Sequence, residues 1–208
     1  MYNVIRIIRK KGGVVLSRLT GHFIQNRSLS LQGKKLDLGC GPVKLAGHIG
    51  LDKIPLEGVD VICDIEKEEL PFVNESFDVV YSSNTLEHIK NLEKVMLAIL
   101  RILKKDGHFL IQVPYFISAK AFQDPTHVRF FTLKTFDYFV EEQDIAPRWY
   151  FKNLFKKIEK RQFIFDRTLF KIIVGPIINS SHYIQSWYEG SIFLRIIPPE
   201  ALEVDIIK

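Results

Sequence analysis

The fold is decided by one six-residue stretch, Leu36-Asp37-Leu38-Gly39-Cys40-Gly41. It closes a short apolar segment, Lys34 to Cys40, that has the composition of a buried strand, and its two glycines predict a turn. Glycines in such a turn let a ligand approach the backbone closely, and open α/β sheets bind ligands outside the carboxyl ends of their strands. We therefore expect this turn to cradle a cofactor that has a ribose and a charged tail.

The turn departs from the pattern of dinucleotide-binding folds. Lys44, two residues after Pro42, occupies the position where those folds have a third glycine. A pyrophosphate also needs a glycine turn that runs into a helix N-terminus. S-adenosylmethionine has no phosphate, and its cationic sulfonium favours a nearby carboxylate such as Asp37. The sequence therefore favours S-adenosylmethionine over NAD.

Two more aspartates end the next two predicted strands, His48 to Asp52 and Val59 to Asp64. Carboxylates accept hydrogen bonds from paired ribose hydroxyls and from an adenine amine. A single aspartate at such a place is commonly a turn or helix cap, but three at one sheet edge indicate a binding crevice. Asp60 is a rival ribose ligand, because it lies at the usual distance of about 20 residues from the glycine turn. We prefer Asp52, since Asp60 begins a strand that Asp64 ends.

The rest of the chain alternates predicted strands and helices, which indicates a parallel α/β sheet. The predicted elements are a strand Phe77 to Ser82, a helix Asn91 to Lys105 stopped by Asp106-Gly107, a strand His108 to Pro114, and a helix from the N-cap Thr132 to about Glu142. Two late strands, Phe155 to Phe165 and Ala201 to Lys208, flank an insertion at about residues 166–200. Since no crossover helix joins them, we expect the last strand to run antiparallel to its neighbours.

Length and composition predict one domain, residues 34–208, preceded by a helical appendage at residues 1–33. The appendage packs on its own domain, covers the site or docks on a membrane surface, and the sequence leaves these alternatives open. No apolar run is long enough to span a membrane, and the two cysteines, Cys40 and Cys63, fit a reducing cytoplasm. The net charge of +5 is spread along the chain, which argues against a nucleic-acid partner.

Four blocks within residues 34–143 resemble the class I S-adenosylmethionine-dependent methyltransferases, and more narrowly their metabolite-type, Methyltransf_11-like group. The blocks are Leu36 to Gly41, Gly50 to Asp52, Asp64-Ile65 with Leu70-Pro71-Phe72, and Ser76 to Tyr81 running into Leu86-Glu87-His88-Ile89. The last block is the most distinctive. The resemblance implies an α/β fold with a Rossmann-like, mostly parallel seven-stranded sheet whose last strand is antiparallel.

The resemblance also implies the cofactor contacts. By it, Asp37, Gly39 and Gly41 hold the methionine end of S-adenosylmethionine, Asp52 the ribose, Asp64 and Ile65 the adenine, and Asn84 the floor of the site. One departure concerns length, because only about a dozen residues separate Gly39 from Asp52. The first helix must therefore be cut to about one turn, and the second, between Lys53 and Gly58, is vestigial too.

Candidate catalytic residues follow the fifth predicted strand, where an acceptor would meet the methyl group. We expect His127, oriented by Asp124, to take the proton of an acceptor hydroxyl. Alternatively, His127 caps the helix near Thr132 or pairs with Asp124 structurally. We interpret His88 as structural, and nothing in the sequence indicates a metal. The expected aromatic wall of the acceptor pocket is Trp187-Tyr188-Glu189 with Phe116, Phe122, Phe130 and Phe131.

The sequence therefore predicts a methyltransferase that acts at oxygen on a small-molecule or glycan-like acceptor. The segment Ser82-Ser83-Asn84-Thr85 lacks the Asn/Asp-Pro-Pro-aromatic pattern of nucleobase amino-methylases, which disfavours a base amine as acceptor. Two alternatives stay open. One is a catalytically inactive cofactor-binding scaffold subunit, since fold does not determine function, and the other is a nicotinamide oxidoreductase.

Overall fold

The computed structural model describes residues 23–142 and 155–208. Within these ranges seven strands form one sheet: β1 Lys35–Leu38, β2 Ile49–Asp52, β3 Val61–Ile62, β4 Phe77–Ser83, β5 Leu103–Pro114, β6 Lys157–Ile164 and β7 Ala201–Ile207. The α-helices of the same ranges are α1 Phe23–Ser30, α2 Leu92–Ile102, α3 Ala119–Gln123, α4 Gly175–Ile178, α5 His182–Glu189 and α6 Phe193–Ile196.

The strand order is β3-β2-β1-β4-β5-β7-β6. Strands β1 to β5 pair in parallel, so their carboxyl ends lie along one edge, where open α/β sheets bind ligands. Strand β7 runs antiparallel between β5 and β6, with Glu203 opposite both Gln112 and Gln162. The predicted Rossmann-like sheet and its antiparallel last strand are therefore confirmed.

The first crossovers of the sheet are loops. Between residues 39 and 76, which lie inside the described range 23–142, the chain forms the strands β2 and β3 joined by turns, and no helix. The sequence predicted shortened first helices, and the structure reduces them further, to turns. The amides of Gly39 and Cys40 both donate to the carbonyl of Leu51, at 2.8 and 3.1 Å, which closes the glycine turn onto β2.

Helix α2 packs its apolar side on the sheet. The side chain of Asn91 accepts a hydrogen bond from the amide of Lys94 over 3.0 Å and caps the helix. The helix ends at Ile102 rather than Lys105, because the chain from Leu103 onward pairs with β4 as the start of β5. The predicted end of the helix, just before Asp106-Gly107, therefore lies a few residues beyond the observed one. The buried face consists of Leu92, Val95, Met96, Ile99 and Ile102.

Helix α1 covers the other side of the sheet. Ile24 packs with Val79 and Tyr81 of β4, whereas Val80 between them packs in the core on the side of α2. The carboxylate of Glu203 in β7 accepts hydrogen bonds from the amides of Phe23 and Ile24 and ties the helix to the sheet. This part of the N-terminal appendage packs on its own domain, and residues 1–22 lie outside the described residues.

The predicted helix from Thr132 to about Glu142 was wrong. The segment forms one 3-10 turn, Thr135–Phe139, and the amide of Thr132 donates to Oγ1 of Thr135 over 2.9 Å instead of beginning a helix. Tertiary contacts override the helical pattern, because the buried carboxylate of Asp137 pairs with the guanidinium of Arg161 at 2.6 Å. That ion pair holds the turn against β6.

The insertion between β6 and β7 is helical. It contains a π-helical turn, Phe170–Val174, followed by α4, α5 and α6, and Tyr188 and Leu194 anchor it in the core. None of the helices described is long and apolar enough to cross a membrane. Nine large apolar side chains of the insertion are nevertheless exposed, and we call them the insertion surface: Leu169, Ile172, Ile173, Ile177, Tyr183, Trp187, Ile192, Phe193 and Ile196.

Candidate functional site

The glycine turn after β1 has a left-handed backbone with different surroundings at its two glycines. Gly39 has φ +69°, and a Cβ placed there would lie 2.1 Å from Oγ1 of Thr85. Gly41 has φ +57°, yet no heavy atom of the described residues lies within 4 Å of its would-be Cβ. Gly39 is therefore needed for close packing, whereas Gly41 borders open space that a ligand can enter.

Asp52 ends β2 beside this turn. Its Oδ2 accepts a hydrogen bond from the amide of Gly41 over 2.9 Å, and its Oδ1 accepts one from the amide of Ile54 over 3.1 Å. The side chain is half-buried, so a carboxylate is held at the rim of the open space. A carboxylate in this position can accept further hydrogen bonds from a pair of hydroxyls.

The rival acid, Asp60, has structural partners. Its carboxylate lies 2.5 Å from Nζ of Lys44 and accepts a hydrogen bond from the amide of Gly50 over 2.7 Å. The hydrogen bond from Lys44 is the main cause that lowers the pKa of Asp60, followed by that from Gly50. Lys44, which stands where a dinucleotide fold has glycine, thus braces β2 through Asp60.

Asp37 is buried beneath the turn. Its Oδ2 accepts a hydrogen bond from the amide of Leu45 over 2.7 Å and so holds the segment after the glycines against β1. Burial, and next the negative charges of Asp37 and Asp52, raise the pKa of the Cys40 thiol to about 11. The carboxylates of Asp37 and Asp52 thus lie close enough to the turn for their charges to oppose a further negative charge there.

The remaining predicted cofactor residues lie along the same edge of the sheet. Asp64 follows β3, where its carboxylate accepts from the amide of Glu66 over 3.1 Å and pairs with Lys67 at 2.9 Å, and the Lys67 bond is the main cause that lowers its pKa. Ile65 packs partly buried against the core. Asn84 follows β4 with an exposed side chain and φ +52°.

A second cluster lies between the turn after β4 and the segment after β5. Nδ1 of His127 lies 2.9 Å from the carbonyl of Ala121. Its Nε2 lies 3.9 Å from Oε1 of Glu87 and 4.0 Å from Oδ2 of Asp124. The His88 ring packs edge-on against the His127 ring, with the ring centroids 4.7 Å apart. The structure therefore brings both predicted catalytic residues together, 7 % of the His127 side chain being exposed. The helix near Thr132, which His127 would cap in the alternative interpretation, is absent from this part of the described chain.

Glu87 is the member of this cluster that sequence reasoning missed. Only 1 % of the residue is exposed, and among the described residues neither of its carboxylate oxygens has a hydrogen-bond partner. Burial is the main cause that raises its pKa to about 7. The backbone carbonyl of Glu87 accepts from the amides of Val128 and Arg129, at 2.9 and 3.2 Å, and so holds the segment of His127 in place. The signal was an acid in the block Leu86 to Ile89 next to a histidine that we interpreted as structural.

The aromatic wall expected around the acceptor is only partly available. Phe122 and Phe130 form an exposed stacked pair with centroids 4.5 Å apart. Phe131 and Tyr188, by contrast, are fully buried in the core. Glu189 accepts hydrogen bonds from the Tyr115 hydroxyl over 2.5 Å and from the Leu133 amide over 2.8 Å, so this residue fastens α5 to the carboxyl end of β5.

Comparison with known proteins identifies a family. The sequence matches the family described as "Methyltransferase domain" over residues 13–149. It is 32% identical over 118 residues to a sterol 4-C-methyltransferase of Caenorhabditis elegans, a match that covers 46% of this chain and 35% of that protein. It is 32% identical over 72 residues to an uncharacterized methyltransferase of Bacillus subtilis, covering 30% of this chain and 28% of that protein. The chain thus spans about a third or less of the length of the curated relatives it matches.

Solved structures share the fold along nearly the whole chain. A SAM-dependent methyltransferase from Archaeoglobus fulgidus has a TM-score of 0.60 at 18% identity, covering 92% of this chain and 94% of that one. A phosphoethanolamine N-methyltransferase of Haemonchus contortus, solved with S-adenosyl-L-methionine, has a TM-score of 0.55 at 18% identity, covering 89% of this chain and 51% of that one.

Proposed function

This chain belongs to the class I S-adenosylmethionine-dependent methyltransferases, and from that premise we propose that it methylates an oxygen of a small-molecule or glycan-like acceptor. The observation that carries the proposal is the open space at Gly41, bordered by the carboxylate of Asp52 and lying over the buried Asp37. This cradle fits a ligand that has a cationic centre and a ribose. S-adenosylmethionine, when bound, supplies an electrophilic methyl group on such a centre.

We assign the cofactor contacts along the carboxyl edge of β1 to β4. Gly39 and Gly41, with Asp37 beneath them, hold the methionine end, and Asp52 accepts from the ribose hydroxyls. Asp64 and Ile65 border the adenine, and Asn84 lies on the floor. The assignment is supported by the positions of these residues at the ends of four adjacent strands. Asp60 is assigned to bracing β2, since Lys44 and the Gly50 amide occupy its carboxylate.

The acceptor side of the proposed site is the cluster around His127. The contact between Nδ1 and the Ala121 carbonyl places the proton on Nδ1, so Nε2 has its lone pair free. We propose that this nitrogen, with the Asp124 carboxylate 4.0 Å away, receives the proton of an acceptor hydroxyl. The remaining contribution of the protein is to align the acceptor oxygen with the methyl group, which lowers the entropic part of the barrier.

Two alternatives make different predictions. A catalytically inactive scaffold subunit would bind S-adenosylmethionine without turnover, and the presence of Glu87 and His127 beside the carboxyl edge favours an enzyme instead. A nicotinamide oxidoreductase is opposed by the antiparallel β7 and by Lys44 in place of the third glycine. Incubation of a cell extract with methyl-labelled S-adenosylmethionine, followed by mass spectrometry, tests the proposal. A labelled low-molecular-weight or glycan product supports it, and label in no product favours the scaffold.

We also propose that the protein works in the cytoplasm, in peripheral contact with a membrane. Both cysteines of the chain are free, which suits a reducing compartment. The membrane contact was expected from the N-terminal segment, of which residues 1–22 lie outside the described residues. The insertion surface supports the same idea, because the segment that carries its exposed aliphatic and aromatic side chains also carries the exposed Arg167 and Arg195. Segments that combine exposed apolar side chains with cations are typical of docking on anionic lipids.

A further inference from the structure

Glu87 carries a buried carboxylate that has no hydrogen-bond partner among the described residues. The charged form of such a group is strongly disfavoured unless a cation or a hydrogen-bond donor satisfies it. Glu87 is 1 % exposed, and no residue in the described ranges donates a hydrogen bond to either of its oxygens. Nε2 of His127 lies 3.9 Å from its Oε1, which is too far for a hydrogen bond.

Two histidines near this carboxylate are held by contacts of their Nδ1 atoms. His127 directs Nδ1 to the carbonyl of Ala121 at 2.9 Å, and His88 directs Nδ1 to Thr126, at 2.9 Å from its hydroxyl and 3.3 Å from its carbonyl. The Thr126 hydroxyl donates onward to the Asp124 carboxylate over 2.7 Å. With Nδ1 of each ring serving as the donor, both Nε2 atoms keep their lone pairs. Metal-binding histidines are held in the same way, through the second ring nitrogen.

We propose that Glu87, His88 and His127 bind a divalent transition-metal ion. The three ligand atoms that these residues offer lie within 4.8 Å of one another, so small rotations bring them to bonding distance of one ion. Two imidazoles and one carboxylate suit zinc, iron, cobalt or manganese better than magnesium or calcium, which prefer oxygen ligands. Three protein ligands leave a position open, as in catalytic rather than structural zinc sites.

The consequence for the reaction rests on the proposed function. An acceptor hydroxyl at the open position would be acidified by the ion, and His127 would then serve as a ligand through Nε2, while Asp124 remains the nearest free carboxylate. The binding of the ion is independent of that consequence. It can therefore be measured without any acceptor.

The test uses the full chain, stripped with a chelator and then titrated separately with Zn²⁺ and Co²⁺. We expect one ion per chain by calorimetry, and a Co²⁺ visible spectrum typical of a nitrogen and oxygen site. Glu87→Gln and His127→Gln should weaken binding by about a hundredfold or more, and the outer variant Thr126→Val by about ten- to a hundredfold. His182→Gln, an exposed histidine on α5, is the matched control and should bind as the unmodified protein does.

Absence of a stoichiometric ion in the unmodified protein would overturn the proposal, as would equal affinity in His127→Gln and His182→Gln. Should Glu87→Gln fail to fold, the Co²⁺ spectrum and the Thr126→Val variant still decide. S-adenosylmethionine binding is measured on the same samples, because it separates the two ideas. If the protein binds the cofactor but no ion, only the proposed metal site is contradicted. If it binds an ion but not the cofactor, the proposed function is contradicted and the metal site is supported.

Discussion

Oδ2 of Asp52 accepts a hydrogen bond from the backbone amide of Gly41 over 2.9 Å. This bond joins the acid that ends β2 to the second glycine of the turn after β1. No described atom lies within 4 Å of a Cβ placed at Gly41. The bond therefore fixes the Asp52 carboxylate beside this open space. The geometry ascribed to the cofactor site depends on this pair.

The two glycines of the turn should respond differently to alanine. Gly39→Ala places Cβ 2.1 Å from Oγ1 of Thr85 in addition to straining a positive φ, so we expect a large loss of stability or failure to fold. Gly41→Ala meets no described atom and should lose only about 1 to 2 kcal/mol of unfolding free energy from the strained φ. Its methyl group projects into the cofactor space, so S-adenosylmethionine binding should weaken. Thermal unfolding and calorimetry measure the two effects, and equal stability of the two variants would contradict the assignment.

Burial of His48 should make stability depend on pH. Its Nε2 lies 2.7 Å from the Ser28 hydroxyl and its Nδ1 lies 3.0 Å from the Ala46 carbonyl, while Tyr81 packs edge-on and Lys35 is the nearby charge. Burial is the main cause that lowers the His48 pKa. Below about pH 6.5 the unfolded chain binds a proton at His48 more readily than the folded protein does. The contribution of neutral His48 to the unfolding free energy is therefore complete above that pH and is lost as the pH falls below it.

Chemical unfolding between about pH 7.5 and about pH 5.5 tests this prediction. The unmodified protein should lose more unfolding free energy over that window than His48→Gln, since the variant cannot take up the proton. Carboxylates titrate alike in both proteins and cancel in the difference. Parallel pH profiles of the two proteins would show that His48 does not contribute.

The insertion surface should bind anionic membranes. We expect the protein to sediment with vesicles that contain phosphatidylserine, less so at high salt, because the lipid charge attracts the exposed Arg167 and Arg195 of the insertion. The double variant Ile172→Ser/Ile177→Ser removes two side chains that are 66% and 59% exposed and should weaken sedimentation without lowering stability. Val73→Ser is the control, because Val73 is 77% exposed and lies outside the insertion, in the loop before β4. Concentration-dependent dimerisation that the double variant abolishes, with no vesicle binding, would assign the surface to a second copy instead.

His127→Ala should separate cofactor binding from turnover. The side chain contacts Glu87 and Asp124, neither of which is among the residues assigned to the cofactor, so the affinity for S-adenosylmethionine should stay nearly unchanged. Turnover with an identified acceptor should fall by about a hundredfold or more, the usual contribution of a positioned base. Normal turnover in the variant would leave His127 a structural residue.

Sequence reasoning succeeded where one local pattern decides the structure. The acid and glycines at residues 37–41, the apolar face of α2 and the two late strands each depend on short-range periodicity or turn chemistry. The antiparallel direction of β7 also followed, since the connection between β6 and β7 was predicted to lack a crossover helix. These features concern how neighbouring residues constrain one another.

Sequence reasoning failed where residues that are far apart in the sequence determine the local structure. The segment after Thr132 has helical spacing, but the buried pair of Asp137 and Arg161 holds it as a 3-10 turn. The bond between Lys44 and Asp60 was likewise not predicted, because it joins residues 16 positions apart in the sequence. Glu87 lies about 40 residues from His127 in the sequence, and only the fold brings them together.

The most direct measurement is a calorimetric titration of the full chain with S-adenosylmethionine, S-adenosylhomocysteine and NADH. The account predicts saturable binding of the first two with one site per chain, and no binding of NADH. Asp52→Ala should weaken S-adenosylmethionine binding by about 1 to 3 kcal/mol, and Asp60→Ala should lower thermal stability with a smaller effect on affinity. Binding of NADH alone, or a loss of S-adenosylmethionine affinity in Asp60→Ala but not in Asp52→Ala, would contradict the account.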